Sequence, residues 1–327
     1  LRLNTPQSQL ALGYFFENLE SPNWLRPLYE KGFFENPPNK RTNPENNTFY
    51  FPVWAQSQYL IIAAHHHPDL VLKISIEIFD SGCDNFSIYE DLTEAALELP
   101  AEYACQWTRK AIAWLKMQTY VYYRLPDLLG KLITYLAKEE YFEEAIDLAK
   151  ETLAILPPAE DSFSNRPNLR VEKDFYYEKI LKEHLKLLIE LKPETTIHLL
   201  CELLNNYLSF SNPNIEGEIA EDYSSHWLPI IDGDSRRSHE VDSILGSFIW
   251  DTAISISDIE PNQSKRILQE FSNYRWRIFD RISLHLLRRY PKYLSEHIDE
   301  RLKAPNRLGW LGFYLEGTGV YYSHEHA

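Results

Sequence analysis

The sequence predicts an all-α fold, an irregular α-solenoid or α-α superhelix built from helical hairpins. Prolines recur where helices are expected to begin, and most are followed by an acidic residue: Pro68-Asp69, Pro100-Ala101-Glu102, Pro126-Asp127, Pro193-Glu194 and Pro261-Asn262. Proline loses no hydrogen bond at the first helical position, and carboxylates in the first turn favour the helix dipole. With Pro157 included, the intervals from Pro68 to Pro193 are 32, 26, 31 and 36 residues, a spacing typical of degenerate helical-hairpin repeats.

The segments between these prolines have helical patterns. In Leu72–Phe79 three isoleucines alternate with polar residues, which is a strand pattern in isolation. Because this segment follows Pro68-Asp69 and lies between helices, we predict that it is helical as well. Ala101–Gln118 carries Cys105, Ile112 and Leu115 at helical spacing, as expected for an amphipathic helix.

The segment Phe142–Pro157 resembles the second helix of a tetratricopeptide repeat. Ala145, Ala149 and Pro157 fall on the small, small and terminal-proline positions of that repeat. The preceding helix, from Leu128 to Lys138, lacks the glycine and aromatic pattern of the repeat. The match is therefore to half of a repeat, and small residues at a close helix contact remain the alternative.

Two segments are predicted to be long loops, at positions 32–52 and 212–234, because they are rich in residues that break helices. The second loop divides the chain. We predict an N-terminal helical-repeat part at residues 1–211, a loop at 212–234, and a C-terminal helical part of the same solenoid at 235–327.

Composition and charge exclude several classes of protein. The chain has 327 residues, 44% of them hydrophobic, which excludes a disordered or collagen-like protein. Lys and Arg total 33 against 48 Asp and Glu, so the net charge is −15, which disfavours a nucleic-acid coat or an anionic membrane partner. No apolar run reaches the roughly 18 residues of a membrane span.

Cys83, Cys105 and Cys201 are far apart and lack C-x-x-C spacing, so neither a disulfide framework nor a zinc cluster is predicted. We expect a cytoplasmic protein without cofactors. The chain has no initiator Met and ends at His324-Glu325-His326-Ala327, so we also expect it to be a piece of a longer polypeptide.

Two groups of histidines invite a metal interpretation. Consecutive side chains on a helix point in different directions, so His65-His66-His67 are better explained as exposed or capping residues before a helix. His324 and His326 are better explained as part of a polar terminus. No metal site is predicted.

Residues 222–240 combine aromatic, basic, Ser, His and Asp side chains, and we predict a partner-binding loop there. The candidate contact residues are Tyr223, Trp227, Arg236, Arg237 and His239. A hydrolase using Ser225, His226, Asp232, Asp234 and His239 is the third hypothesis for this chain. It lacks support from a G-x-S-x-G elbow or from a strand–turn–helix context.

Positions 262–291 reverse the charge of the chain, with seven basic residues against Glu270 and Asp280. Phe279, Ile282 and Leu286 follow helical spacing and are predicted to form the buried stripe of a helix. Arg277, Arg281 and Arg288 recur at intervals of four and seven, which predicts a basic stripe on another face. Such a stripe could bind phosphate or a nucleic-acid strand. The alternative is pairing with acidic neighbours such as the helix that contains Glu139, Glu140, Glu143 and Glu144.

Several short motifs that contain proline or aromatic residues resemble those of a known class of protein. They are Trp24-Leu25-Arg26-Pro27-Leu28, Gly32-Phe33-Phe34, Pro37-Pro38, Pro52-Val53-Trp54 with Ser57, Tyr59 and Leu60, Asp84-Asn85, Leu99-Pro100, and Arg281-Ile282-Ser283-Leu284-His285-Leu286-Leu287. Across roughly residues 11–290 the chain resembles the degenerate, HEAT- or tetratricopeptide-like scaffold region of large bacterial multidomain proteins. Some of these carry an NTPase or another effector domain and are linked to antiviral defence.

The resemblance implies a structural role, since its motifs are aromatics and prolines and no P-loop or nuclease motif is present. We therefore predict a non-catalytic scaffold or sensor module that binds a protein partner or other domains of its own polypeptide. Nucleic-acid or phosphate binding through the arginine stripe is the alternative.

Overall fold

The computed structural model describes residues 9–45, 48–158, 166–212 and 241–303, and it confirms the all-α class. The helices are α1 (Gln9–Glu17), α2 (Leu25–Glu30), α3 (Ala55–Ala64), α4 (Pro68–Asp80), α5 (Phe86–Glu98), α6 (Ala101–Lys116), α7 (Leu125–Lys138), α8 (Phe142–Thr152), α9 (Asp174–Lys179), α10 (Lys186–Leu191), α11 (Pro193–Ser211), α12 (Val241–Ile259), α13 (Gln263–Phe271), α14 (Arg277–Arg289) and α15 (Ser295–Lys303). A 3₁₀ turn at Pro22–Trp24 precedes α2, and a π-helical turn at Ile180–His184 follows α9. The strands are two residues each: β1 (Arg41–Thr42), β2 (Phe49–Tyr50), β3 (Ile155–Leu156) and β4 (Asn168–Leu169).

Prolines stand at or near helix starts, as the sequence predicts. Pro68 and Pro193 are the first residues of α4 and α11, and Pro126 is the second residue of α7. Pro100 immediately precedes α6. Pro157, by contrast, follows the short strand β3 and begins no helix.

The ambiguous segment Leu72–Phe79 is helical, within α4. Ile74 and Ile78 are buried, while Ile76 is half-buried, so the burial follows the helical period and not the alternation of a strand. The predicted loop at 32–52 contains a small antiparallel hairpin that the sequence reading missed, with Arg41 opposite Tyr50 and Thr42 opposite Phe49.

The chain divides into two compact units. Unit 1 comprises Leu1–Ala154 and Asn168–Leu188, and unit 2 comprises Ile155–Pro167 and Ile189–Ala327. This division differs from the predicted one at 212–234. Helix α11, which we assigned to the N-terminal part, packs against α12 and α13 and belongs to unit 2.

In unit 1 the helices pack in two series. Helices α1, α3, α5 and α7 each contact the next member of the series, and α4, α6 and α8 do the same. Contacts of α3 with α4, α5 with α6 and α7 with α8 join the two series. Ala145 and Ala149 of α8 are fully buried, and α8 packs on α6 and α7, so these small residues lie at close helix contacts.

In unit 2, α12 packs on α11, α13 and α14, and α14 also contacts α13 and α15. The buried Trp276 immediately precedes α14, and its indole N–H donates to Asn205 Oδ1 of α11 at 2.9 Å. Tyr274 stacks on Phe279 with 4.7 Å between ring centroids.

Within the described residues of the chain, no helix is both long enough and apolar enough to cross a membrane.

Candidate functional site

Five aromatic rings of unit 1 form a contiguous group that reaches the surface. Phe51 lies 5.8 Å from Phe49, 5.4 Å from Phe86 and 5.9 Å from Tyr123 between ring centroids. Tyr122 lies 5.2 Å from Phe86 and 6.3 Å from Tyr123. These separations fall in the range of favourable aromatic pairs. We call these five residues the aromatic cluster.

The outer members of the aromatic cluster are open to solvent. Phe49 is 52% exposed and Tyr123 is 61% exposed, whereas Phe51 and Tyr122 are half-buried and Phe86 is buried. Contiguous exposed apolar patches mark interaction sites, and aromatic side chains are enriched among the residues that dominate binding energy. The cluster has the composition of a protein-binding surface.

The inner end of the cluster is anchored in the core of unit 1. Phe86 contacts Trp114 at 5.3 Å, and Trp114 stacks on Tyr89 with 4.0 Å between centroids. The hydroxyl of Tyr89 donates to the carbonyl of Cys83 at 2.7 Å. Packed rings hold one another in place, so the surface rings have less conformational entropy to lose in any further contact.

A single buried side chain, Asn85, ties down the chain segment that carries Phe49 and Phe51. Its Nδ2 donates to the carbonyls of Pro38 at 2.9 Å and Pro52 at 2.8 Å. Its Oδ1 accepts from the backbone N–H of Ser87 at 3.1 Å and so caps α5. Asn85 therefore joins both ends of the segment 38–52 to the start of α5.

The neighbouring residue, Asp84, adds further bonds between the start of α5 and the segment 38–52. Its Oδ1 accepts from the backbone N–H of Lys40 at 2.9 Å, and its Oδ2 lies 3.3 Å from Lys40 Nζ. Its own backbone N–H donates to Asn39 Oδ1 at 3.2 Å. The pair at 84–85 thus fixes the base of the β1–β2 hairpin.

The second segment of the cluster is held at both ends. The backbone N–H of Val121 donates to the carbonyl of Arg170 at 2.7 Å, and that of Arg124 donates to Glu90 Oε1 at 2.7 Å. Burial raises the pKa of Glu90, and the hydrogen bond from Arg124 opposes that shift. Between these anchors Tyr123 has φ +55°, a left-handed conformation that costs a non-glycine residue about 1 kcal/mol.

Several motifs of the resemblance have structural roles within unit 1. Phe34 contacts Trp54 at 6.4 Å, and the hydroxyl of Tyr59 donates to the carbonyl of Ser21 at 2.7 Å. Pro38 and Pro52 supply the carbonyls that Asn85 binds. Each of these residues has a packing or hydrogen-bonding role within unit 1.

The predicted partner-binding loop lies outside the described residues. This holds for Tyr223, Trp227, Arg236, Arg237 and His239, and equally for Ser225, His226, Asp232 and Asp234 of the hydrolase hypothesis. His324 and His326 also lie outside them.

The three arginines of the phosphate hypothesis do not form one exposed stripe. Arg277 is 5% exposed at the start of α14, Arg281 is half-buried, and Arg288 is exposed. Because the helix turns Arg277 into the core, the interval of four and seven residues does not place all three on solvent-facing positions.

Other basic residues of this region pair with acids of unit 2. Arg289 binds the carboxylate of Asp258 through Nη2, at 3.0 and 3.2 Å. Arg266 pairs with Glu194, and Lys265 Nζ lies 3.9 Å from Glu296. The acidic helix that was considered as their partner is α8, in unit 1. There Glu144 pairs with Arg109 of α6 at 2.7 Å.

The three consecutive histidines are split between two elements. His65 and His66 are exposed just after α3, and the half-buried His67 immediately precedes α4. In the part of the chain that the structure describes, no group of three His, Cys, Asp or Glu side chains is placed to hold a metal ion. The cysteines are free thiols and buried, and burial raises the pKa of Cys105 to about 11.

Unit 2 contains a groove of about 340 Å³ between α11 and α13, with Ile256 of α12 in its wall. Its charged groups bind one another or neighbouring polar groups. Arg266 pairs with Glu194, and Glu270 Oε1 accepts from the Tyr274 hydroxyl at 2.8 Å and lies 2.8 Å from His198 Nδ1. The groove therefore offers a ligand weaker polar contacts than its composition suggests.

Sequence reasoning missed the aromatic cluster, although its signal is present. The runs Phe49-Tyr50-Phe51 and Tyr120-Val121-Tyr122-Tyr123 are dense in aromatics. The first lies in the predicted loop at 32–52, and the second lies between the predicted helix Ala101–Gln118 and the predicted helix start at Pro126. Comparisons of the chain with known protein families, with curated proteins and with solved structures found no match. The structure therefore describes a class of protein only: an all-α protein with an aromatic cluster that is anchored in the core of unit 1 and reaches its surface.

Proposed function

We propose that this chain is a non-catalytic helical-repeat scaffold or sensor module that binds a protein. The aromatic cluster carries the proposal, because exposed rings anchored on a packed core are the features that protein-binding surfaces use. The partner is another protein or a further domain of the same polypeptide.

The two series of helices in unit 1 support a solenoid architecture. In a solenoid each repeat contacts only its neighbours, which leaves long surfaces for binding. The succession of α1, α3, α5 and α7 beside α4, α6 and α8 fits that pattern. We extend the proposal to a cytoplasmic location on the widely spaced cysteines Cys83, Cys105 and Cys201, which lack C-x-x-C spacing. We extend it to a bacterial antiviral-defence protein on the resemblance of the proline and aromatic motifs alone.

Site-specific photocrosslinking tests this function. A photoreactive phenylalanine analogue replaces Phe49 or Tyr123 in the full chain, produced in the cells that naturally make it. Because both rings lie on one surface, we expect both positions to give the same crosslinked product after irradiation. The measurement is the mass and identity of the crosslinked species.

The matched control is Tyr14 of α1, which is 71% exposed in the same unit and is not a member of the cluster. We expect no such product from position 14. Equal crosslinking from all three positions would show nonspecific contact, and the absence of a product from positions 49 and 123 would remove the aromatic cluster as the binding surface.

A further inference from the structure

A buried serine of α3 lies at hydrogen-bond distance from two other oxygen atoms. Ser57 Oγ lies 2.7 Å from the carbonyl oxygen of Trp54 and 2.6 Å from Asp91 Oδ2 of α5. Ser57 has no exposed surface, and Asp91 is 8% exposed. Both distances are normal for O–H···O hydrogen bonds.

Counting protons shows which group must supply the second hydrogen. A serine hydroxyl has one proton, and a backbone carbonyl can only accept. If the Ser57 hydroxyl donates to Trp54, the contact with Asp91 needs a proton on the Asp91 carboxyl. If Asp91 is ionised, one proton faces two acceptors, and one of the two short oxygen contacts is left without a hydrogen.

The surroundings of Asp91 also oppose a negative charge. Burial is the largest cause that raises the pKa of Asp91, to about 7, and the neighbouring Glu90 and Glu94 of α5 raise it further. Arg124, which precedes α7, lowers it, as does the hydroxyl of Ser57 from α3. The side chain of Arg124 is engaged by Glu94 at 3.1 Å, so it compensates Asp91 only in part.

We propose that Asp91 is a neutral carboxylic acid that donates to Ser57, that the chain of hydrogen bonds from Asp91 through Ser57 to Trp54 locks α5 to α3, and that ionisation of Asp91 releases this lock. The fold thereby contains a pH-sensitive device. The lock also reaches the start of α3, because Ser57 donates onward to Trp54, which follows Pro52 and Val53. This inference does not depend on the proposed function.

The sign of the pH effect follows from the proton balance. Asp91 keeps its proton in the folded chain up to about pH 7, whereas the carboxyl of an unfolded chain loses it near its ordinary pKa of 3.8. The lock itself persists to about pH 7, but its contribution to stability is full only below about pH 4, decreases as the unfolded carboxyl ionises, and is lost as the pH rises through 7. Over this window the contribution of Asp91 shifts the unfolding equilibrium constant by roughly 10³-fold towards unfolding.

The test is urea unfolding of the full chain between pH 4.5 and 8.5, comparing wild type with Asp91→Asn. The asparagine amide can donate to Ser57 at every pH, so we expect the variant to lose most of this pH-dependent change. Asp80→Asn, an exposed carboxylate that pairs with Lys110 at 3.1 Å, is the charge-matched control and should leave the change in place. Parallel pH curves for wild type and Asp91→Asn would overturn the proposal.

Ser57→Ala keeps the proposal testable if Asp91→Asn folds poorly. This variant removes the hydroxyl that links Asp91 to the carbonyl of Trp54. The hydroxyl of Ser57 lowers the pKa of Asp91 and so favours the ionised carboxyl over the neutral one. We therefore expect a larger loss of stability at pH 8.5, where Asp91 is ionised, than at pH 5, where it is neutral. Equal losses at the two pH values would contradict a proton on Asp91.

Discussion

Replacing Asn85 with alanine is expected to lower the free energy of unfolding by about 3 kcal/mol. The substitution leaves the carbonyls of Pro38 and Pro52 without their donor and removes the side-chain cap of α5. Because Asn85 is completely buried, water does not replace these bonds in the folded chain. Urea unfolding measures the loss.

The same variant is expected to free the hairpin segment. Backbone amides of residues 38–52 should exchange with deuterium faster than in wild type, since both ends of the segment lose an anchor. Asn18→Ala is the control, because Asn18 is an exposed asparagine whose Nδ2 donates only locally, to Tyr14, at 2.7 Å. If the two variants destabilise the chain equally, the hydrogen bonds of Asn85 to Pro38, Pro52 and Ser87 do not have the stabilising effect predicted here.

Gly130→Ala is expected to destabilise the chain by about 3 kcal/mol because α7 has no room for a methyl group at this position. An added Cβ would lie 2.4 Å from Cδ2 of His184 and 2.9 Å from its Cγ. His184 is buried in the π-helical turn, and its Nδ1 is 3.0 Å from the Thr134 hydroxyl, so the ring cannot simply turn away. Urea unfolding again measures the change.

Two further variants separate this clash from the general cost or benefit of alanine. Gly13→Ala in α1 meets nothing within 4 Å, so helix propensity should stabilise the chain by about 0.5 kcal/mol. His184→Ala combined with Gly130→Ala should recover much of the stability that Gly130→Ala loses relative to the His184→Ala background. Strict additivity of the two substitutions would contradict the predicted clash.

The sequence was sufficient for the parts of the fold that local chemistry determines. Prolines mark the starts of α4, α7 and α11, and Pro68 is what identifies Leu72–Phe79 as helical despite its alternating pattern. The division of the chain was less predictable. A helix joins the unit on which it packs, and the packing of α11 on α12 is a long-range contact that no local pattern reveals.

The aromatic cluster also depends on long-range contacts that local sequence patterns do not reveal. Asn85 can be recognised as a helix cap from its position before α5, but its bonds to Pro38 and Pro52 join residues more than thirty positions apart. The cluster assembles rings from the hairpin, from the start of α5 and from the turn before α7. Nothing in the sequence distinguishes Asp91 from the other carboxylates of α5. Only the structure shows that it is buried and lies beside Ser57.

The apolar spacing of α14 predicted its buried stripe correctly, since Phe279, Ile282 and Leu286 are buried, but it did not predict that Arg277 is buried as well. Arg277 occupies a core-facing position beside Trp276, so the helical interval was correct but the exposure was not.

The affinity of the crosslinked partner for the double variant Phe49→Ala/Tyr123→Ala tests the central claim most directly, with Tyr14→Ala as the matched control. Isothermal titration calorimetry of the full chain measures it. If the aromatic cluster is the binding surface, the double variant should bind about 30-fold more weakly or worse, equivalent to about 2 kcal/mol, and the control should bind like wild type. An affinity of the double variant within about twofold of wild type would contradict the account.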